Sequence, residues 1–240
     1  MRTETLEKNG WLLLDSVYTL DHLERLRGAV QQLQEMNSES VREQAGSVYA
    51  ARNVLEIVPE VATLWKTPKL VSLISEVLGA DAGLIRALYF DKPPEQTWAL
   101  PWHKDLLIAV SDETVQLPGY SKPRPRAGVL HTEPPVKVLQ SMLTLRIHLD
   151  PMTTDNGPLE VLSGSHQTGK ELQVDGFQRE QITSEAGAVF VMRPLLVHAS
   201  GRSIPNAKEH RRVLHLEFTG IRKLPQGVEW HTYIPIIKNL

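Results

Sequence analysis

His103 and Asp105 stand two residues apart in the stretch PWHKDLL. On an extended strand residues i and i+2 face the same side, so the imidazole and the carboxylate can point together into a core while Trp102, Lys104 and Leu106 point away. A carboxylate beside leucines is costly to bury unless something pairs with it. A lysine, a backbone amide or a metal ion would serve, and a lone His-x-Asp also fits an ordinary histidine–carboxylate pair. His198 adds a third group. It follows the strand-like run and turn of GAVFVMRPLLVHASG, about ninety residues downstream of Asp105, far enough for another strand to bring it alongside. Two histidines and one carboxylate on one face form the facial triad that holds non-haem Fe(II) with open coordination positions. The chain has no cysteine, which removes disulfides, thiol catalysis and thiolate metal sites together. Any metal must then be held by His, Asp or Glu, donors that suit Fe(II), Mn or Zn.

The elements that must position these residues change character along the chain. TLDHLERLRGAVQQLQEM places Leu20, Leu23, Leu26, Val30 and Leu33 at helical spacing, with Thr19 or Asp21 as N-cap. In TPKLVSLISEVLG, Thr67 caps, Pro68 takes the first helical position and Gly79 stops the helix. GWLLLDSV, before the first helix, is a short apolar strand. The N-terminal part, about residues 15–80, therefore reads as helical. From about 83 to 225, GLIRALYF, DLLIAV, MLTLRIHLD, GAVFVM and RVLHLEFTG are β-type runs separated by Pro, Gly, Asn and Asp. Many short strands without α/β alternation, and helices gathered at one end, predict a mainly β jelly roll with appended helices. The segment 117–135 holds five prolines and is expected to be an irregular loop, a mobile lid over the site or a surface excursion.

The 240 residues suit a single domain, and the formal net charge of −2 gives no nucleic-acid footprint. No leader or membrane-length apolar run is evident, so a cytoplasmic location and no membrane partner are expected. Monomer and homodimer stay open.

Taken together, His103-x-Asp105, the distal His198 followed by ASG, and arginine at the start of RRVLHLEF resemble the phytanoyl-CoA dioxygenase family of Fe(II)/2-oxoglutarate oxygenases. KPPEQTWALPWHKD, DNGPLEVLSGSHQTG and NGWLLLDSVYTLDHLERLR extend the likeness over nearly the whole chain. The resemblance implies a double-stranded β-helix, cupin-like, with N-terminal helices on its larger sheet. It implies Fe(II) on His103, Asp105 and His198, with 2-oxoglutarate and O2 as co-substrates. Ser200 and one of Arg211 and Arg212 would bind 2-oxoglutarate, since a guanidinium can clamp its distal carboxylate bidentately.

Adjacent strand residues face opposite ways, so only one of the two arginines enters the barrel. Arg211 shares a face with Val213, His215 and Glu217. Arg212 shares one with Leu214, Leu216 and Phe218, a greasy face suited to the covering helices, and Arg211 is therefore favoured. Arg86, His131, Arg146 and His148 are candidates for contact with a small-molecule substrate. His166 is a lesser candidate ligand, and His22, His210 and His231 read as surface residues. The expected reaction hydroxylates an unactivated C–H bond with release of succinate and CO2. The carboxylate at Asp105 favours hydroxylation over halogenation. Two other readings remain: a cupin-type metal-dependent isomerase or lyase that does not use 2-oxoglutarate, and a non-catalytic metal- or ligand-binding protein.

Overall fold

The strand Met142–His148 alternates apolar and polar side chains, and the fold is organised by that alternation. In the computed structural model, which describes residues 2–36, 38–44, 46–94, 98–111 and 117–237, this strand lies inside a large antiparallel sheet. The spatial order is Trp11–Leu14, Val189–Met192, Met142–His148, Val213–Thr219, Gly83–Phe90, Ser47–Ala51 and Val41–Gln44, with Ile234–Pro235 also pairing Gly83–Phe90. Leu143, Leu145, Ile147, Leu214, Leu216 and Phe218 turn outward and pack with Leu26, Trp65, Leu70 and Ile74 of the helical part in the main hydrophobic core. The greasy face of the larger sheet thus meets the helices, as the resemblance implied. Its polar face is left to look inward.

A second sheet, in the order Gln178–Ile182, Leu159–Ser163, His198–Ser200 and Leu100–His103, completes the jelly roll. Met152, Val161, Phe190, Met192 and Leu196 form a separate apolar cluster, a plug that leaves the polar groups of the jelly roll elsewhere.

Helix Leu20–Gln31 starts where Thr19 accepts a hydrogen bond from the His22 amide, so Thr19 rather than Asp21 is the cap. Helix Pro68–Leu78 is capped by Thr67 and ends at Gly79 with φ 82°. Two expectations need correction. The part before residue 83 is not wholly helical, because Val41–Gln44 and Ser47–Ala51 form a hairpin. It adds to the edge of Gly83–Phe90 through Ala50 and Ala51. Such an edge extension is fixed by the neighbouring sheet more than by its own periodicity. The proline-rich stretch 117–135 is not all irregular either. Val129–Thr132 pairs with Ile108–Val110 on one side and Arg124–Arg126 on the other, in a three-stranded sheet. Pro125 is tolerated because Arg124–Arg126 is an edge strand, where an absent amide donor breaks no ladder. A further helix, Arg2–Asn9, precedes the first strand. No helix among the described residues is long and apolar enough to cross a membrane.

Gly157 shows how tightly the site is framed. It has φ 68°, and a Cβ there would come within 2.5 Å of the Gly201 carbonyl oxygen and 3.1 Å of Lys92 Nζ. Gly79 also has positive φ, but open space around it. Gly157→Ala should therefore cost more, strain plus displaced backbone, on the order of 4 kcal/mol, against about 2 kcal/mol of backbone strain alone for Gly79→Ala. Chemical denaturation of the two variants checks the ranking, and equal midpoints would contradict it.

Candidate metal centre

Strand pairing does the first work of assembly. His103 and His198 are directly opposite in the smaller sheet, with ring centroids 4.1 Å apart. Each ring is oriented from behind: His103 Nδ1 lies 2.8 Å from the Pro101 carbonyl oxygen and His198 Nδ1 2.9 Å from that of Leu196. A proton on Nδ1 donated to those carbonyls leaves Nε2 with a free lone pair on both rings, the form a metal requires.

Asp105 is not on the strand. The strand ends at His103, and Asp105 is placed by its amide donating to the Pro194 carbonyl at 2.9 Å. His103 and Asp105 thus converge as an i, i+2 strand pair would, but for a different local reason. Its Oδ1 is 3.9 Å from His103 Nε2 and its Oδ2 3.7 Å from His198 Nε2, and the three ligand atoms lie within 4.8 Å of one another. Lys104, between them, points away, donating to the Ser165 and Gly169 carbonyls and the Thr168 hydroxyl. It is not the counter-ion of Asp105. Burial pushes the Asp105 pKa up, but His198, His215, His103 and Arg146 outweigh it and hold the carboxyl at about 2. Burial holds His198 down at about 3. A neutral His198 imidazole and an ionised Asp105 carboxylate are in the donor state that a facial triad needs. Asp105 Oδ2 is buried with no hydrogen-bond partner, a vacancy in its bonding that a cation would fill.

The triad opens on a cavity of about 470 Å³, within the roughly 300–1,000 Å³ range of small-molecule sites. The polar face of the larger sheet lines it. Arg86 donates to Glu217 at 2.9 Å through Nε, pairs with its other oxygen, and donates to the Leu107 carbonyl at 3.1 Å. Arg146 approaches His215 Nδ1 at 3.1 Å. Arg211 lines the cavity, 2% exposed, with Nε unpartnered. Burial, then the charge of Arg146, lowers its pKa to about 9. Arg212 goes the other way: it makes a two-pronged pair with Asp150 at 2.7 Å and takes no part in the cavity lining. Ser200 lines the cavity and accepts from Lys92 Nζ at 3.1 Å.

His131 also reaches the cavity. His148 does not; it is fully buried beside Arg146 and Arg211 with neither ring nitrogen bonded, so a direct substrate contact from it is withdrawn. His166 bonds the Glu7 carbonyl at 3.0 Å and is no ligand. His22 is half-buried, its ring stacked edge-on against Tyr18, rather than a plain surface residue.

Lys92, Glu217 and the arginines Arg42, Arg52 and Arg126 also belong to the site or its surroundings, and no motif in the sequence marked them out. Glu217 was on the polar face already recognised, opposite Arg86 in register. Lys92 stood in KPPEQTW without an assigned role. Its Nζ reaches Ser200 and the Gly201 carbonyl at 2.5 Å, and burial, then Arg211, Arg146 and Arg202, brings its pKa to about 6.

The phytanoyl-CoA dioxygenase (PhyH) family model matches residues 6–212. An L-proline trans-4-hydroxylase of Streptomyces griseoviridis is 26% identical over 164 residues, 68% of this chain and 53% of that protein. The chain thus spans about half the length of this curated relative. Among solved structures, EctD from S. alaskensis with 2-oxoglutarate and 5-hydroxyectoine superposes with a TM-score of 0.70 at 18% identity, over 94% of this chain and 77% of that one. AviO1 from Streptomyces viridochromogenes Tue57 gives 0.64 at 19% identity, over 94% and 96%. These two likenesses show the fold.

The buried histidines generate a stability prediction. Burial, helped by Arg86, lowers the His131 pKa to about 4, and burial, helped by Arg146 and Arg211, lowers that of His148 to about 3. The unfolded chain takes up these protons near pH 6.5 while the fold refuses them. Stability from this source is therefore complete above pH 6.5 and lost as the pH falls toward the folded values. At pH 5 each histidine should have cost about 2 kcal/mol. Urea unfolding of metal-free protein at pH 7 and pH 5 measures the loss, and His131→Asn should make it smaller; an unchanged loss in the variant would contradict the assignment.

Proposed function

We propose, from the premise that the chain belongs to the phytanoyl-CoA dioxygenase family, that it is an Fe(II)- and 2-oxoglutarate-dependent dioxygenase hydroxylating a C–H bond of a small molecule. The observation that carries the reading is the pairing of a three-donor centre with the buried Arg211 guanidinium in one cavity, its Nε unbonded, its Nη1 reaching only the Met152 sulfur at 3.8 Å and no carboxylate paired with it among the described residues. A buried cation without a counter-ion is strongly unfavourable by itself, and a dianion held between metal and Arg211 would supply the missing charge. An isomerase or lyase without 2-oxoglutarate would leave Arg211 unexplained.

His103, Asp105 and His198 would hold Fe(II) through two Nε2 atoms and a carboxylate oxygen. Arg211 would hold the distal carboxylate of 2-oxoglutarate, with the Ser200 hydroxyl beside it. Bound there, Fe(II), 2-oxoglutarate and O2 supply the oxidising power that hydroxylation needs, with succinate and CO2 as co-products. The residues of the chain confine that chemistry. Leu88, Phe90, Leu106 and Leu107 line the cavity and keep water from the reacting centre. The Arg86–Glu217 pair and the Arg146–His215 contact fix one wall, so that the substrate meets a rigid surface. Asp105 keeps a carboxylate on the metal, leaving hydroxylation rather than halogenation. In this reading the helical part and the β-core act as one domain.

Succinate formation from 2-oxoglutarate with Fe(II) and ascorbate is the direct test. His103→Ala, Asp105→Ala and His198→Ala should each abolish it and weaken metal binding strongly while the protein stays folded. Full turnover in any one removes that residue from the triad. Arg211→Ala should raise the 2-oxoglutarate requirement at least thirtyfold, matching a loss of about 2 kcal/mol or more for a buried charge pair. Arg212→Ala should leave that requirement near the wild-type value, and the opposite order would overturn the assignment.

A further inference from the structure

Among the described residues six arginines line the cavity, Arg42, Arg52, Arg86, Arg126, Arg146 and Arg211, against a single carboxylate, Asp105. The chain as a whole carries a net charge of −2, so this concentration is local and not a reflection of composition. Their compensation differs with depth. Arg86 is paired with Glu217. Asp105, a divalent metal, Arg211 and Arg146 make an inner region that a bound dianion balances to within a unit charge. Arg42, Arg52 and Arg126 remain. Arg42 and Arg126 are exposed and Arg52 half-buried, which places these three toward the mouth of the cavity. None of them is ion-paired among the described residues. Burial, then the like charges of Arg86, Arg126 and Arg42, lowers the Arg52 pKa, so the guanidinium groups act on one another across the mouth.

The fold brings them together from separate elements and then fastens them. Arg42 stands on the edge hairpin, Arg52 follows its second strand, and Arg126 ends Arg124–Arg126. Asn53, next to Arg52, donates from its side-chain amide to the Ala127 carbonyl at 2.9 Å and to Ser40 Oγ at 3.0 Å. That bridge ties the turn after Arg126 to the loop carrying Arg52. Like charges repel, and a contact that holds them close needs something to gain from their proximity.

We infer that the mouth formed by Arg42, Arg52 and Arg126 binds an oxyanion of the substrate, so that the molecule acted on is acidic, a carboxylate or a phosphate ester. Guanidinium groups match both oxyanions bidentately. A cleft of one sign also concentrates ligands of the other before they dock. The inference rests on the reading of the inner end as the 2-oxoglutarate site, because it is that dianion which leaves the three outer arginines uncompensated. The anchored end would sit at the mouth and the reacting C–H bond would lie deeper, toward the triad.

The test uses the whole chain loaded with Mn(II) and saturated with 2-oxoglutarate, so that the inner site is filled. Calorimetric titration then compares butanoate with butanamide, and butyl phosphate with butanol. At least one anion should bind, its neutral partner should bind at least tenfold more weakly, and its affinity should fall as NaCl is raised from 50 to 500 mM. The double variant Arg52→Gln/Arg126→Gln should lose at least tenfold in affinity for that anion while its 2-oxoglutarate affinity stays within twofold of wild type, which also shows that it is folded. Whichever of the two anions binds identifies carboxylate or phosphate as the group. Binding of neither anion, neutral probes binding as tightly, or an unaltered affinity in the double variant would overturn the inference. If 2-oxoglutarate itself fails to bind the wild-type protein, the inner-site reading falls instead, and the heats of the butyl probes still report on the arginines separately.

Discussion

The site depends on one cross-strand pair. His103 and His198 sit opposite each other where two short strands meet, and the two Nε2 atoms face Asp105 because both Nδ1 atoms are tied to carbonyls two residues earlier in the chain. Each carbonyl belongs to the same segment as its ring, so the orientation is set locally once the strand is formed. The register irregularity between His198 and Ser200 then lets the second strand turn its hydroxyl toward Lys92 without disturbing the imidazole pair. Asp105 needs no strand of its own. Its amide is held by the Pro194 carbonyl, in the turn that leads to His198, so one segment anchors both remaining donors.

Around that pair the jelly roll separates two kinds of burial. Apolar side chains of the larger sheet are consumed outward against the helices. The inward face is thereby free to carry Arg86, Arg146, His215 and Glu217, which would be untenable in an ordinary core. These groups satisfy one another in part. Unbonded atoms remain on Asp105, Thr144, Arg146, His148 and Arg211, and of these residues Asp105, Arg146 and Arg211 line the cavity. An interior with that pattern is poised for an anion and a cation together, beside the apolar wall of Leu88, Phe90, Leu106 and Leu107.

Much of this was legible in the residues. The alternation in MLTLRIHLD and RRVLHLEF separates a greasy face from a polar one, but by itself it would send the greasy face and Arg212 inward. The helices that the family resemblance places over the larger sheet are what favour Arg211. Helix limits at Thr67 and Gly79 follow from capping chemistry. What could not be read was contact whose cause lies far away in sequence. Asp105 looks like a strand residue in PWHKDLL, and only the Pro194 carbonyl shows why it is not. His148 shares its periodicity with Arg146, yet packing beside the two arginines keeps it from the cavity. Arg42, Arg52 and Arg126 look like scattered surface charges until an edge hairpin and a proline-containing strand bring them to one rim. Residues 112–116, part of the segment between Ile108–Val110 and the proline-rich run, lie outside the described residues.

The order of strands in the larger sheet has a kinetic meaning. Trp11–Leu14 pairs with Val189–Met192, and Val213–Thr219 is the shared neighbour of Met142–His148 and Gly83–Phe90. Few of these pairings are local, and chains dominated by distant pairings fold slowly. On the ribosome, the first strand waits for a partner made almost two hundred residues later, and the sheet has a gap at its centre until residues 213–219 emerge. During that interval the outward apolar faces of three strands have helices to cover them but no neighbours to complete their ladders. The nascent chain is thus exposed to mispairing for most of its synthesis, and the polar inward face, which keeps unpaired strands from offering two greasy sides, lessens that hazard before it has any part in chemistry.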